Sequence, residues 1–272
     1  MEINLPWYDS PWLATYKKVK DFIAEHYPER LSEFEGKLSV FRTNPEFNVV
    51  TVGNLLSEEK LCEIKEHIKS IKMNDYEKQE FFNFGRLIMH DLPYFKQLQH
   101  ELTQIVSENV GEEVEPCYNF LSLYNNFGVC AIHMDAPQAK WTLDICIDQS
   151  APWPIHFSQI VPWPENFDYT GNDWEDHIKK DPKHRFTSFT LEPGDSLLFS
   201  GSSQWHYRER IVRTTKDNFC HLLFLHYVPK GTLALSKPKN WAQIFGIPQL
   251  DEVVPQKQGS SRLYALNELL GS

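Results

Sequence analysis

The chain has 272 residues, room for one large β-rich domain with appended helices and short of two full domains. Its formal net charge of −10 argues against a nucleic-acid backbone as principal partner, because phosphate binding needs a basic surface. Hydrophobic and charged fractions of 41% and 24% are ordinary for a globular protein, and no apolar run approaches the roughly 20 residues a membrane span needs.

The opening MEINLPWYDSPW has no basic region followed by an apolar run, so it does not read as a secretion signal. Cys62, Cys117, Cys130, Cys146 and Cys220 are scattered without any CxxC spacing, which reads as reduced thiols in a cytoplasmic protein. Residues 11–26 repeat Trp12, Tyr16, Val19 and Ile23 on one helical face, with Pro11 near the start and Pro28 just beyond the end. A short β-branched strand follows at 47–52. Ser57 then caps a helix to about 72, with Glu58 and Glu59 in its first turn. Residues 92–109 read as a further packing helix. The expected organisation is a helical extension over 1–46, a β domain over 47–230 and a C-terminal extension over 231–272 packing on the core.

From Tyr118 the pattern changes. Short apolar or alternating runs lie at 120–124, 129–133, 141–147, 187–191, 196–200, 205–211 and 219–228, separated by NNFG, DAP, EPGD and SGSS turns. Many short strands so punctuated predict a sandwich or barrel, mainly β with packing helices. The Pro- and Trp-rich stretch 152–185 reads as an insertion between two barrel strands.

His133 and Asp135 end one of these strands two residues apart, so both side chains project to one face. His206 follows LEPGDSLLFSGSSQW, a Pro-Gly turn, an apolar strand and a small-residue turn. Two imidazoles and one carboxylate on one octahedral face suit iron(II), leaving positions open for a bidentate cosubstrate and O2. An isolated H-x-D arises by chance; its strand and turn context carries the reading. In WTLDICID the apolar Leu143, Ile145 and Ile147 are expected to face inward, which turns Asp144 and Asp148 outward. His221 and His226 read as core histidines.

On these motifs, residues 47 to 228 resemble the iron(II)/2-oxoglutarate-dependent oxygenases, in a prolyl-hydroxylase-like layout. VVTVGNLLSEEKLCEIKEHI resembles their opening strand and helix, LYNNFGVCAIHMD the strand-turn-strand with H-x-D, WTLDICI the next core strand, and EPGDSLLFSGSSQWH the distal-histidine strand. The resemblance implies a double-stranded β-helix, Fe(II) and 2-oxoglutarate as cofactor and cosubstrate, and succinate and CO2 as co-products. It also implies a basic residue for the far carboxylate of 2-oxoglutarate, yet the last core strand, NFCHLLFLHYV, holds no Arg or Lys. Of three candidates for that anchor, Arg208, two residues beyond His206 on the same strand face, ranks first and Lys216 second, ahead of His221 within the last strand. Tyr124 resembles the family tyrosine that donates to the same carboxylate. The expected substrate is a small amino-acid-like molecule or a peptide side chain, hydroxylated at an unactivated C–H. Two alternatives stand beside this: a cupin-like metalloenzyme that does not use 2-oxoglutarate, and an inactive β-helix serving as a binding module.

Overall fold

A computed structural model describes residues 5–53, 55–167, 169, 171–212 and 217–255. In chain order the elements are α1 (Pro11–His26), α2 (Leu31–Leu38), β1 (Val50–Val52), α3 (Glu58–Ser70), α4 (Phe81–Phe84), β2 (Arg86–His90), α5 (Pro93–Glu101), α6 (Thr103–Val110), β3 (Val114–Tyr124), β4 (Cys130–His133), β5 (Trp141–Gln149), β6 (Ile155–Ser158), α7 (Trp174–Lys180), β7 (Phe186–Phe189), β8 (Ser196–Phe199), β9 (His206–Arg208), β10 (Cys220–Pro229), α8 (Trp241–Phe245) and α9 (Leu250–Val253). The first helix falls on the predicted residues and buries the predicted face. Ser57 caps α3 by accepting a hydrogen bond from the Lys60 amide at 3.1 Å. The helix expected over 92–109 is two, α5 and α6, meeting at Leu102.

The strands form two antiparallel sheets. One has six strands in the order β1-β8-β5-β10-β3-β2, the other four in the order β4-β9-β6-β7. Their inner faces meet through Tyr124, Cys146, Phe157, Phe199 and Leu222. Helices α3, α5 and α6 cover the outer face of the larger sheet, burying Ile64, Phe95, Leu98 and Val106 against Leu143, Ile145, Leu223 and Leu225. The chain is thus mainly β with packing helices. Among the described residues, no helix is long and apolar enough to cross a membrane.

Two expectations change here. The stretch 152–185 carries a strand of the four-stranded sheet, since β6 pairs with both β7 and β9. And β5 is buried on both faces: Leu143, Ile145 and Ile147 face the helices, so the alternate positions face the interior. Asp144 is therefore fully buried (0% exposed) rather than turned to water. Apolarity marked the helix-facing side correctly but not which side was the barrel. Asp148 does lie nearer solvent, 3.2 Å from Lys65.

A second core unites the two ends of the chain. Trp12, Tyr16 and Phe34 of the N-terminal helices pack with Trp163 and Trp174 of the long connection and with Trp241 and Phe245 of α8. The Trp12 indole donates to the Ser236 carbonyl at 2.8 Å. This packing lays residues 5–10 beside β4 and β9, with Trp7 edge-on to Trp205 at 5.0 Å.

Candidate metal centre

His133 and His206 stand directly opposite each other on neighbouring strands β4 and β9. Cross-strand partners lie close enough for their side chains to meet, and the two ring centroids are 4.2 Å apart. The β4–β9 register shifts between Cys130 and His133. Asp135 lies just past the strand end, its amide donating to the Gly201 carbonyl at 2.9 Å. One Asp135 oxygen is 3.3 Å from His133 Nε2 and 3.7 Å from His206 Nε2. Three ligands on one octahedral face, each about 2.1 Å from an ion, stand about 3 Å apart. The observed spacings fit that face.

The proton positions fit as well. Each histidine places Nδ1 against a backbone carbonyl two residues earlier, Ala131 at 2.8 Å and Gln204 at 3.0 Å. A carbonyl only accepts, so Nδ1 carries a hydrogen and Nε2 is the ring nitrogen that faces Asp135. Burial, with the nearby His133, takes His206 down to about 4. Burial also opposes charge on His133, but Cys130 and Asp135 outweigh it and hold that ring above its ordinary value. Burial would raise Asp135; His206 and His133 overcome it and hold the carboxyl well below the usual carboxylate range. An ionised carboxylate beside a neutral imidazole is a ligand set ready for a cation. Among the described residues, His133, Asp135 and His206 form the single such cluster of metal-ligating side chains.

The triad opens onto a cavity of about 510 Å³ between the sheets. Arg208 lines it and is buried, but its charge is already matched. It pairs with Asp144 at 2.8 Å and also donates to the Trp153 carbonyl. Asp144 Oδ1 has no hydrogen-bond partner. Tyr124 lines the same cavity, its hydroxyl accepting from Arg86 at 2.7 Å. Lys216 lies outside the described residues.

Sequence reasoning missed Tyr8, Asp9, Glu80 and Arg86 on the lining and took His226 for core. Arg86 stands opposite Tyr124 in the β2–β3 register and pairs with Glu80, which in turn accepts from Tyr8 at 2.9 Å. Asp9, half-buried, sits near Asp135 and His133; burial and the Asp135 charge push it up to about 7. Its backbone is left-handed, φ 62°. His226 was read as core and does sit at 2% exposure, yet it lines the cavity. Only the alternation of β10, with Leu223, Leu225 and Tyr227 turned to the helices, marked Phe224 and His226 as inward.

No family model and no curated protein matches the chain. Among solved structures it is similar to the non-haem α-ketoglutarate-dependent carbocyclase SnoK from nogalamycin biosynthesis, at 12% identity and TM-score 0.52 over 69% of this chain and 83% of that one. AviO1 from Streptomyces viridochromogenes Tue57 aligns at 16% identity and TM-score 0.49, over 72% of this chain and 95% of that one. HygX from Streptomyces hygroscopicus, solved with nickel, 2-oxoglutarate and hygromycin B, aligns at 12% and 0.48, over 72% and 87%. The chain therefore has the fold of the first of these, a non-haem α-ketoglutarate-dependent enzyme.

Proposed function

We propose that this chain is an Fe(II)- and 2-oxoglutarate-dependent oxygenase with a double-stranded β-helix core, acting on a small molecule or peptide side chain. The observation that carries the reading is the facing pair His133–His206 with Asp135 closing the third corner, Nε2 atoms turned inward, at the wall of a cavity large enough for cosubstrate and substrate. A cupin-like centre and an inactive module are less well supported, because the donor set is two histidines and one carboxylate.

His133, Asp135 and His206 would hold the iron, and Arg208, Tyr124 and Arg86 line the wall that would receive the far carboxylate of 2-oxoglutarate. Bound iron and 2-oxoglutarate together activate dioxygen for oxidation of a C–H bond. The chain's own work is orientation and exclusion of water. The Ala131 and Gln204 carbonyls fix the two imidazoles. Arg86 turns the Tyr124 oxygen, whose own hydrogen remains free to donate. Tyr8 lines the cavity edge-on to His133, and Trp7 packs edge-on to Trp205 behind it. With Asp135 as a third protein ligand, the centre would leave no place for a halide, which favours hydroxylation over halogenation.

The test is anaerobic titration with Fe(II), then 2-oxoglutarate, followed by a visible charge-transfer band and by succinate on admitting oxygen. His133→Ala, Asp135→Ala and His206→Ala should each weaken Fe(II) binding about 100-fold or more, as loss of one of three ligands does, while the folded state survives. A variant with full iron affinity removes that residue from the centre, and absence of succinate from wild-type protein supports the cupin or inactive reading.

A further inference from the structure

The charges around the cavity do not balance evenly. Arg208 is matched by Asp144 and Arg86 by Glu80. Asp135 belongs to the metal centre. A divalent metal and a dianionic cosubstrate cancel each other. Left over on the cavity wall are Asp9, which has no hydrogen-bond or ion-pair partner among the described residues, and the exposed Lys237.

Two further groups on the same cavity lack partners, and both accept hydrogen bonds. His226 is 2% exposed, and its Nδ1 lies 3.0 Å from the Thr142 hydroxyl, which itself donates to the Ala139 carbonyl at 3.4 Å. Thr142 therefore accepts from Nδ1–H, and the remaining ring nitrogen, Nε2, is a lone-pair acceptor with no donor. Gln138 gives its amide NH2 to the Ser236 carbonyl at 2.9 Å, which fixes the flip and leaves Oε1 unpartnered. Buried acceptors without donors cost stability, and such groups call for an explanation in a ligand or ordered water. Here two of them, together with the half-buried Asp9, border one chamber.

We propose that Asp9 is the substrate-recognition residue of this site, and that the substrate presents a protonated amine to it and a second hydrogen-bond donor toward His226 and Gln138. The inference rests on the oxygenase reading of the cavity and narrows its substrate to amine-bearing molecules. A protonated amine would supply the counter-charge that Asp9, half-buried near Asp135, lacks among the described residues. The geometry also explains why the N-terminal segment is packed so firmly: Trp7 against Trp205 and Trp12 on Ser236 hold Asp9 at the wall.

The test needs no turnover. Full-length protein, metal-free and also loaded anaerobically with Fe(II) and 2-oxoglutarate, is titrated by calorimetry with matched pairs: glucosamine and N-acetylglucosamine, L-lysine and Nε-acetyl-lysine, 5-aminopentanol and its N-acetyl derivative. The same titrations are run on Asp9→Asn, which keeps the shape and tolerates the left-handed backbone, and on Asp9→Gly, which relieves it. In wild type at least one amine should bind about tenfold more tightly than its acetylated partner, the usual worth of a charge-assisted hydrogen bond. In both variants that preference should disappear. Absence of an amine preference throughout the wild-type panel overturns the proposal, as does a preference that survives in either variant. Because binding is read directly, a protein that makes no succinate can still show the preference, and one that makes succinate can still lack it.

Discussion

The two sheets share one cavity but are built on different terms. In the six-stranded sheet, β3, β5 and β10 run 11, 9 and 10 residues, and β10 pairs along nearly its whole length with both neighbours. Helices bury its outer face and the cavity side is closed as well. In the four-stranded sheet the strands run three or four residues, and the β4–β9 register slips just before His133. The metal ligands all belong to this shorter sheet and the turn beyond it. Length and two-sided burial give stability; a strand that is about to end lets a side chain leave the ladder and turn toward an ion.

Arg208 is where the two sheets are tied, since it reaches from β9 to Asp144 on β5. Arg208→Ala should cost the fold about 3–5 kcal/mol, the effect of leaving one buried charge without its partner. Chemical denaturation checks it, and an unchanged midpoint would show that the pair does not join the sheets. That loss comes in addition to any weakening of 2-oxoglutarate binding, so the two must be measured separately. Leu223, 0% exposed on the helix side of β10, sharpens the contrast. Leu223→Ala should cost about 2–4 kcal/mol of stability by opening a cavity and leave Fe(II) affinity unchanged. Coupled loss of iron affinity would mean the long sheet also positions the ligands.

The smallest effect belongs to the turn. A Cβ on Gly201 would lie 2.1 Å from Asp135 Oδ2 and 2.6 Å from the Ala139 carbonyl. The Ala139 backbone cannot yield easily, so Asp135 must swing. Gly201→Ala should lower Fe(II) affinity about tenfold, roughly 1.4 kcal/mol, and lower the unfolding midpoint as well, because moving Asp135 does not relieve the contact with the Ala139 carbonyl. Iron titrations that superimpose on wild type would show the Asp135 carboxylate is not held by that turn.

Much of this was legible in the residues. Helix α1 carries a clean 3.6-residue period, and the H-x-D with the distal histidine after a Pro-Gly turn led to the three side chains that the fold brings together. What stayed hidden was hidden for physical reasons. Strand β6 is only four residues long and follows Pro152 and Pro154, so it reads as loop. Strand β2, RLIMH, has no alternation to show that it pairs with β3. Asp144 was turned the wrong way because a strand buried on both faces gives no polar side to read. Asp9 and Tyr8 precede every regular element, and only tertiary packing carries them to the centre.

The hydrogen bond from Trp12 to Ser236 spans 224 residues of chain. It sets an order of events during synthesis. At roughly 5–20 residues per second, about 10–45 s pass between emergence of the tryptophan and of the carbonyl it needs. Until then Asp9 lacks one of its two anchors, however complete the strands between them. The earliest-made part of the cavity is thus the last to take its place.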